Sequence, residues 1–267
     1  MSSKKKPTVN QHIVPQAYLR RFATLTENKN YQIGVGIRKK DGRNFFATTQ
    51  SVKNVGFVKN VYEFDCRKDT PNYWENYFAE VIEPFCGTEL SNIISNIESS
   101  QNAAVVLSHE DKCNLSVFIF HQIFRSPQAL EKSIQIGQKS IERGKKEAQS
   151  ILKSSFPPFL HSLLLNALDD ADFSKDEIKD IFMQSMSDVN RQEERTNALL
   201  DKIWIVYENT TQLQFITSDN PVCRKNCVTK SFSFEDNTLK DPNSLILFPL
   251  SPTILIEITP SHLLGSQ

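Results

Sequence analysis

Two short segments, far apart in the chain, carry side chains able to do chemistry inside stretches that otherwise read as ordinary folding elements. In the first, Asn10 to Phe22, His12 is followed by Tyr18, Arg20 and Arg21. In the second, Phe215 to Val222, a β-like run ends in Ser218, Asp219 and Asn220 ahead of Pro221. A histidine exchanges protons near neutral pH. An arginine's planar fork donates two parallel hydrogen bonds to a phosphate or carboxylate. An aspartate serves as a base, a metal ligand or the group that orients an imidazole. Gln122 and Arg125 form a third block, three residues apart and so on one helix face, beside a run from Leu115 to Phe124 that is apolar nearly all round. A charge buried there needs a partner, and Asp219, another structural group or an anionic ligand would each serve. The three blocks read as walls of one site. His12 and Asp219 are its catalytic candidates, and Tyr18, Arg20, Gln122, Arg125 and Asn220 its substrate-binding ones. Any divalent metal would sit on His12 and Asp219.

Each of these residues has a plainer reading. His12, expected beside a helix N-terminus that lowers its proton affinity, could instead cap a backbone group. Asp219 could close an Asx turn ahead of Pro221. Arg20 and Arg21 diverge by about 100° on a helix, so only one shares a face with His12 or Gln16. His121 reads as a satisfied core histidine, and Glu75, Glu80 and Glu83 as mostly solvated. Ser218 lacks the Gly-x-Ser-x-Gly elbow of a hydrolase nucleophile.

The elements that must position these groups follow from caps and periodicity. Asn10 predicts a helix N-cap with Pro15 in an early turn. Gln32–Ile37 and Arg43–Thr49 flank Asp41-Gly42, a hairpin signal, and Val61–Phe64 reads as a further strand of that sheet. Tyr73 to Ser99 reads as a long helix broken near Pro84. Ser108 with Asp111 caps a segment that Pro127 ends. Residues 128–153 form a charged, protruding helix suited to a protein partner. A short helix at Phe159–Leu168 precedes a Ser174-x-x-Glu177 capping box opening a helix to Leu200. Runs at 202–208, 212–217, 245–248 and 253–258 are β-rich. The expected class is α+β, a helical middle packed on a mostly antiparallel sheet of C-terminal strands joined by the N-terminal hairpin. Residues 1–9 read as a flexible basic tail and 10–267 as one domain. The ending after Gly265 fits either a truncated terminus or a short final helix near Pro260.

Lys and Arg total 31, as do Asp and Glu, so bulk electrostatic adhesion to nucleic acid or membrane is not expected. No apolar run is long enough to span a bilayer. The five cysteines are odd in number and scattered. With no signal peptide they point to a reducing cytoplasm, and Cys223-x3-Cys227 has no second pair to complete a zinc site. The absence of a Gly-rich phosphate loop and of a His-Glu-x-x-His helix disfavours ATP- and nicotinamide-dependent enzymes and helical zinc hydrolases.

Asn10-x-His12-x-x-Pro15-x-x-Tyr18-Leu-Arg20-x-Phe22, Val52-x-Asn54-Val55, Gln122-x-x-Arg125-Ser-Pro, Phe215-Ile-Thr-Ser-Asp219-x-Pro221 and Phe248-Pro-Leu-Ser-Pro252 follow in order along nearly the whole chain. Together they resemble a widespread bacterial family known only as domain of unknown function 4238. The resemblance implies that the blocks belong together and favours Arg20 over Arg21; it implies no activity. The chemistry of the residues points first to a phosphodiester-directed, nuclease-like hydrolase of the toxin or defence kind, with nucleic acid as its partner and a divalent metal as an optional cofactor. The alternatives are a non-catalytic anion- or nucleic-acid-binding module, and a partner-binding protein whose polar blocks form a buried salt-bridge network.

Overall fold

The chain opens with a strand where Asn10 suggested a helix cap. In the computed structural model, which describes residues 8–38, 45–100, 106–170, 172–232 and 238–263, β1 (Asn10–His12) pairs antiparallel with β5 (Phe57–Lys59), His12 opposite Phe57. Helix α1 (Gln16–Leu19) starts only after Pro15, which holds an extended ψ of 134°. Thr8 and Val9, expected to belong to a loose tail, are pinned: the Thr8 amide donates to the Asn72 side chain and the Val9 carbonyl accepts from the Asn60 amide. Strands β2 (Thr24–Leu25), β3 (Tyr31–Arg38) and β4 (Phe45–Ser51) form an antiparallel sheet in that order. Its register runs from Gln32 opposite Ser51 to Arg38 opposite Phe45, centred on positions 41 and 42. The Asp41-Gly42 turn itself lies outside the described residues, and Val61–Phe64 is not a strand of this sheet.

The broken helix resolves into α2 (Tyr73–Tyr77), one π turn (Phe78–Ile82), α3 (Pro84–Gly87) and α4 (Glu89–Ser99). Helix α5 (His109–Phe124) carries the expected capping box between Ser108 and Asp111. It is followed by α6 (Pro127–Ser155) and α7 (Pro158–Asp170). The single helix predicted from Ser174 is two, α8 (Lys175–Ser187) and α9 (Val189–Leu200). Asp188 breaks it with extended backbone and then caps α9 by accepting from the Arg191 amide at 2.9 Å. Only the start of α6 is buried, through Ala129, Leu130, Ser133 and Ile134, so the charged remainder is exposed or half-buried as anticipated. Helices α6 and α8 close tightly at Gly137, where an added Cβ would lie 2.5 Å from Ile178 Cγ2.

The last sheet is β6 (Ile203–Glu208), β9 (Ile254–Thr259), β8 (Ser244–Pro249) and β7 (Cys223–Asn226), all neighbours antiparallel. The run at 212–217 is not a strand: Leu213 and Ile216 are exposed, and the Phe215 amide donates to the Pro252 carbonyl outside any strand pairing. Edge strand β7, with Arg224 and Lys225, had no apolar alternation to announce it. The class is α+β, with the N-terminal hairpin and the C-terminal strands hydrogen-bonded as separate sheets. Helix α5 joins the layers. Phe118 is buried with its ring 5.2 Å from Phe85 and 5.9 Å from Phe248 of β8. Among the described residues no helix is long and apolar enough to cross a membrane.

Candidate functional site

Strand β1 is placed by its own Gln11 side chain and by side chains reaching its backbone from α5. Gln11 is fully buried; its amide oxygen accepts from the Tyr62 amide at 2.7 Å and its nitrogen donates to Glu63 at 2.7 Å. The Ile13 and Val14 amides both donate to the Gly56 carbonyl, at 2.9 and 3.1 Å. From the far side, α5 grips two backbone carbonyls: Arg125 Nη2 donates to His12 O, and Gln122 Nε2 donates to Ile13 O at 2.7 Å. Satisfying buried carbonyls in this way fixes the main chain at His12 without using its ring.

Arg125 lies at the C-cap of α5, wholly buried. Its carboxylate partner is Glu83, 3.1 Å away, and its guanidinium lies 4.2 Å over the Phe78 ring. Its carbonyl accepts from Tyr62 OH at 2.7 Å. Burial is the largest influence on the guanidinium and pushes its pKa down, but Tyr62 and Glu83 together outweigh it and the net shift is upward. Arg125 therefore stays charged. Glu75 belongs to the same cluster. Burial raises its carboxyl above the usual range against the pull of Arg125 and the His12 backbone, and one of its oxygens is buried without a hydrogen bond. On a regular α-helix residues eight apart lie about 80° apart around the axis. Between Glu75 and Glu83 comes the π turn, in which Glu83 N reaches Phe78 O at 2.8 Å, and its extra width takes up part of that offset.

The His12 ring sits half-buried against the edge of Phe57. Burial lowers its pKa; Glu83 opposes this and Arg125 reinforces it. The expected direction is found, but desolvation is the cause, since no helix begins at His12. Its Nε2 is 3.0 Å from Gln16 Nε2. With that amide donating, the imidazole is neutral and carries its proton on Nδ1.

Gln16 also lines a polar cavity of about 290 Å³, together with Arg20, Lys29, Asn30, Tyr31 and Lys53. Three cations face this space, and none of the described residues lining it is acidic. Arg20 is exposed and lies 5.3 Å over Tyr31. Arg21 turns inward and donates to Cys86 O and Ser91 Oγ, at 2.9 and 2.8 Å. Among the described residues no group of three or more His, Cys, Asp or Glu is gathered as for a metal ion.

The sequence matches, over residues 10–264, the family described as a protein of unknown function, DUF4238. The chain belongs to the DUF4238 family. No curated protein matches it, and no solved structure does.

For this DUF4238 chain, the structure unites His12, Gln122 and Arg125, with Arg20 one side chain further on through Gln16. The second motif meets the first through Tyr18, whose hydroxyl lies 3.0 Å from Thr217 Oγ1. Asp219 is exposed, and Ser218 and Asn220 bond each other across the turn. No hydrogen bond described for His12, Gln122 or Arg125 reaches that loop. Tyr18 is a tie and not a surface ligand. It is fully buried, donates to Pro249 O at 2.7 Å, meets Thr217 Oγ1 at 3.0 Å and stacks on Phe248. His121 is a core histidine, buried between Val117 O and Tyr77 OH. Glu83, Glu75, Lys29 and Lys53 were missed as members. The carboxylates needed the π turn to be seen. The lysines were within reach of the hairpin register, which sets the residues just before Tyr31 near those just after Ser51.

Proposed function

We propose that the N-terminal face binds a phosphate-bearing ligand, nucleic acid included, and that His12 acts there as the acid-base group of a phosphodiester-directed hydrolase. The observation that carries this reading is the polar cavity with three cations and, among the described residues, no acidic lining residue, one hydrogen bond from a neutral imidazole. Arg20, Lys29 and Lys53 would neutralise a phosphate and the charge that grows on it during attack. The volume is at the lower end of small-molecule sites, room for one phosphate-bearing unit. An entering oxygen would compete for the Gln16 amide, freeing His12 Nε2 to take a proton from the attacking hydroxyl or water. Arg125 and Gln122 act as positioning residues that hold the main chain at His12 and Ile13. Asp219 has no part in this arrangement.

A second reading, binding without catalysis, is favoured by one fact: the neighbouring carboxylate Glu83 is already paired with Arg125. The test uses purified protein with labelled RNA, single-stranded DNA and duplex DNA, with and without magnesium or manganese. Arg20→Ala and Lys53→Ala should each weaken binding and lower its salt dependence by about one counterion, while His12→Ala should abolish cleavage and keep binding. Binding that depends on Arg20, with no cleavage under any condition, would select the second reading. Binding indifferent to Arg20 and Lys53 would remove both.

A further inference from the structure

Away from His12, a cavity of about 680 Å³ lies between α6, α8 and α9. Its walls are Ile136 and Ile141 of α6, Ile178, Ile181 and Phe182 of α8, and Phe124 at the end of α5. Ile136 and Ile181 are about half exposed, an arrangement that wastes apolar surface unless something covers it. At one side stand Arg191 and Arg195, one turn apart on α9, joined by Arg224 of β7. No acidic residue is among the described residues lining the space.

Arg195 is the informative group. Its guanidinium stacks 5.3 Å over Phe120 and 5.2 Å over Phe124, and its Nη1 is buried with no hydrogen-bond partner. Burial and the like charge of Arg191 both push it down, with only Glu194 opposing them, and burial holds Arg224 down to about 10. Glu194 itself pairs with Lys240. Holding two like charges side by side at the rim of an apolar space, one with a donor aimed at nothing, costs free energy that an incoming anion would recover.

We propose that this cavity binds an amphipathic anion, its single apolar body seated between α6 and α8 and its carboxylate or phosphate head on Arg195 and Arg191. The volume falls in the range of small-molecule sites that are mostly apolar with a few polar anchors. A fork of guanidinium N–H groups matches either head. The site is independent of the phosphate pocket beside His12.

The test is isothermal titration of the full chain with dodecanoate, dodecyl phosphate, dodecanol and dodecyltrimethylammonium, each below its micellar concentration. Both anions should bind, the cation should not, and dodecanol should bind at least tenfold more weakly than the anions. The two anions' relative affinities tell which head the site prefers. Arg195→Met should weaken the anions about tenfold or more and leave dodecanol unchanged, with circular dichroism confirming the fold. Arg191→Gln, on an exposed residue, should give a smaller loss in the same direction should the first variant fail to fold. Ile181→Asp should abolish binding of every probe, whereas Arg20→Ala should change none. No binding of either anion, equal binding of the cation, or anion affinity untouched in both arginine variants would overturn the proposal.

Discussion

Replacing His121 by Gln should flatten the acid side of the stability profile. The imidazole is fully buried, its Nδ1–H donates to Val117 O at 2.9 Å and its Nε2 accepts from Tyr77 OH at 3.1 Å. The Gln192 amide nitrogen also lies 3.4 Å from Nε2. That geometry needs the neutral ring, because a proton on Nε2 would face Gln192's own donor. Burial, reinforced by Arg125, lowers the pKa from 6.5 to about 4. The sign follows from proton counting. Below pH 6.5 the unfolded chain takes up a proton that the folded one refuses, so this contribution to stability is complete above 6.5. It is lost as the pH falls and levels off below about 4. At about 1.4 kcal/mol per pH unit, the whole drop is worth roughly 3 kcal/mol. Urea unfolding of the parent and His121→Gln from pH 7.5 to 4.5 measures it. Their stability difference should shrink by about 2–3 kcal/mol as the pH falls. Parallel profiles, or an imidazole resonance titrating near 6.5 in the folded parent, would refute the reasoning.

Two further outcomes follow from packing. Phe118→Ala removes the ring that joins α5 to Phe85, Tyr18 and Phe248 and should cost about 3–5 kcal/mol in chemical denaturation; an unchanged melting temperature would show that the layers are joined elsewhere. Gly56→Ala places a Cβ at φ +69°, 2.8 Å from Leu19 Cδ1 and 3.3 Å from the Val14 carbonyl. The left-handed backbone alone costs about 1–2 kcal/mol. Amide exchange at Ile13 and Val14 should accelerate more than elsewhere, and protection equal to the parent's at both would count against Gly56 as their anchor.

Much of the fold was legible because its signals are local. The Ser108–Asp111 and Ser174–Glu177 boxes, the β-rich runs at 202–208 and 253–258, and the hairpin register each lie within a few residues of the structure they specify. What misled was also local. Asn10 caps well in isolation but is claimed by Lys59 across a strand pair, and the apolar residues at 213 and 216 imitate a strand while facing outward. The site was half legible. Polar residues in apolar runs did mark His12, Gln122 and Arg125 as neighbours. Choosing Arg125's partner required knowing which carboxylate a π turn would deliver, and nothing in the spacing of Glu75, Glu80 and Glu83 distinguished Glu83 from a solvated residue. Asp219 had equal chemical credentials, and in the structure it is exposed with no hydrogen bond described to that cluster.

The clamp on the main chain at His12 also sets a schedule for biosynthesis. The arginine that grips the segment is made 113 positions after it, and the carbonyl that anchors Tyr18 is 231 positions from it. At about 5–20 residues per second, the wait for Arg125 to be made is roughly 6–20 s, and for Pro249 about twice that. Until then the main chain at His12 lacks that grip, although its partners Gly56 and Phe57 are made much earlier.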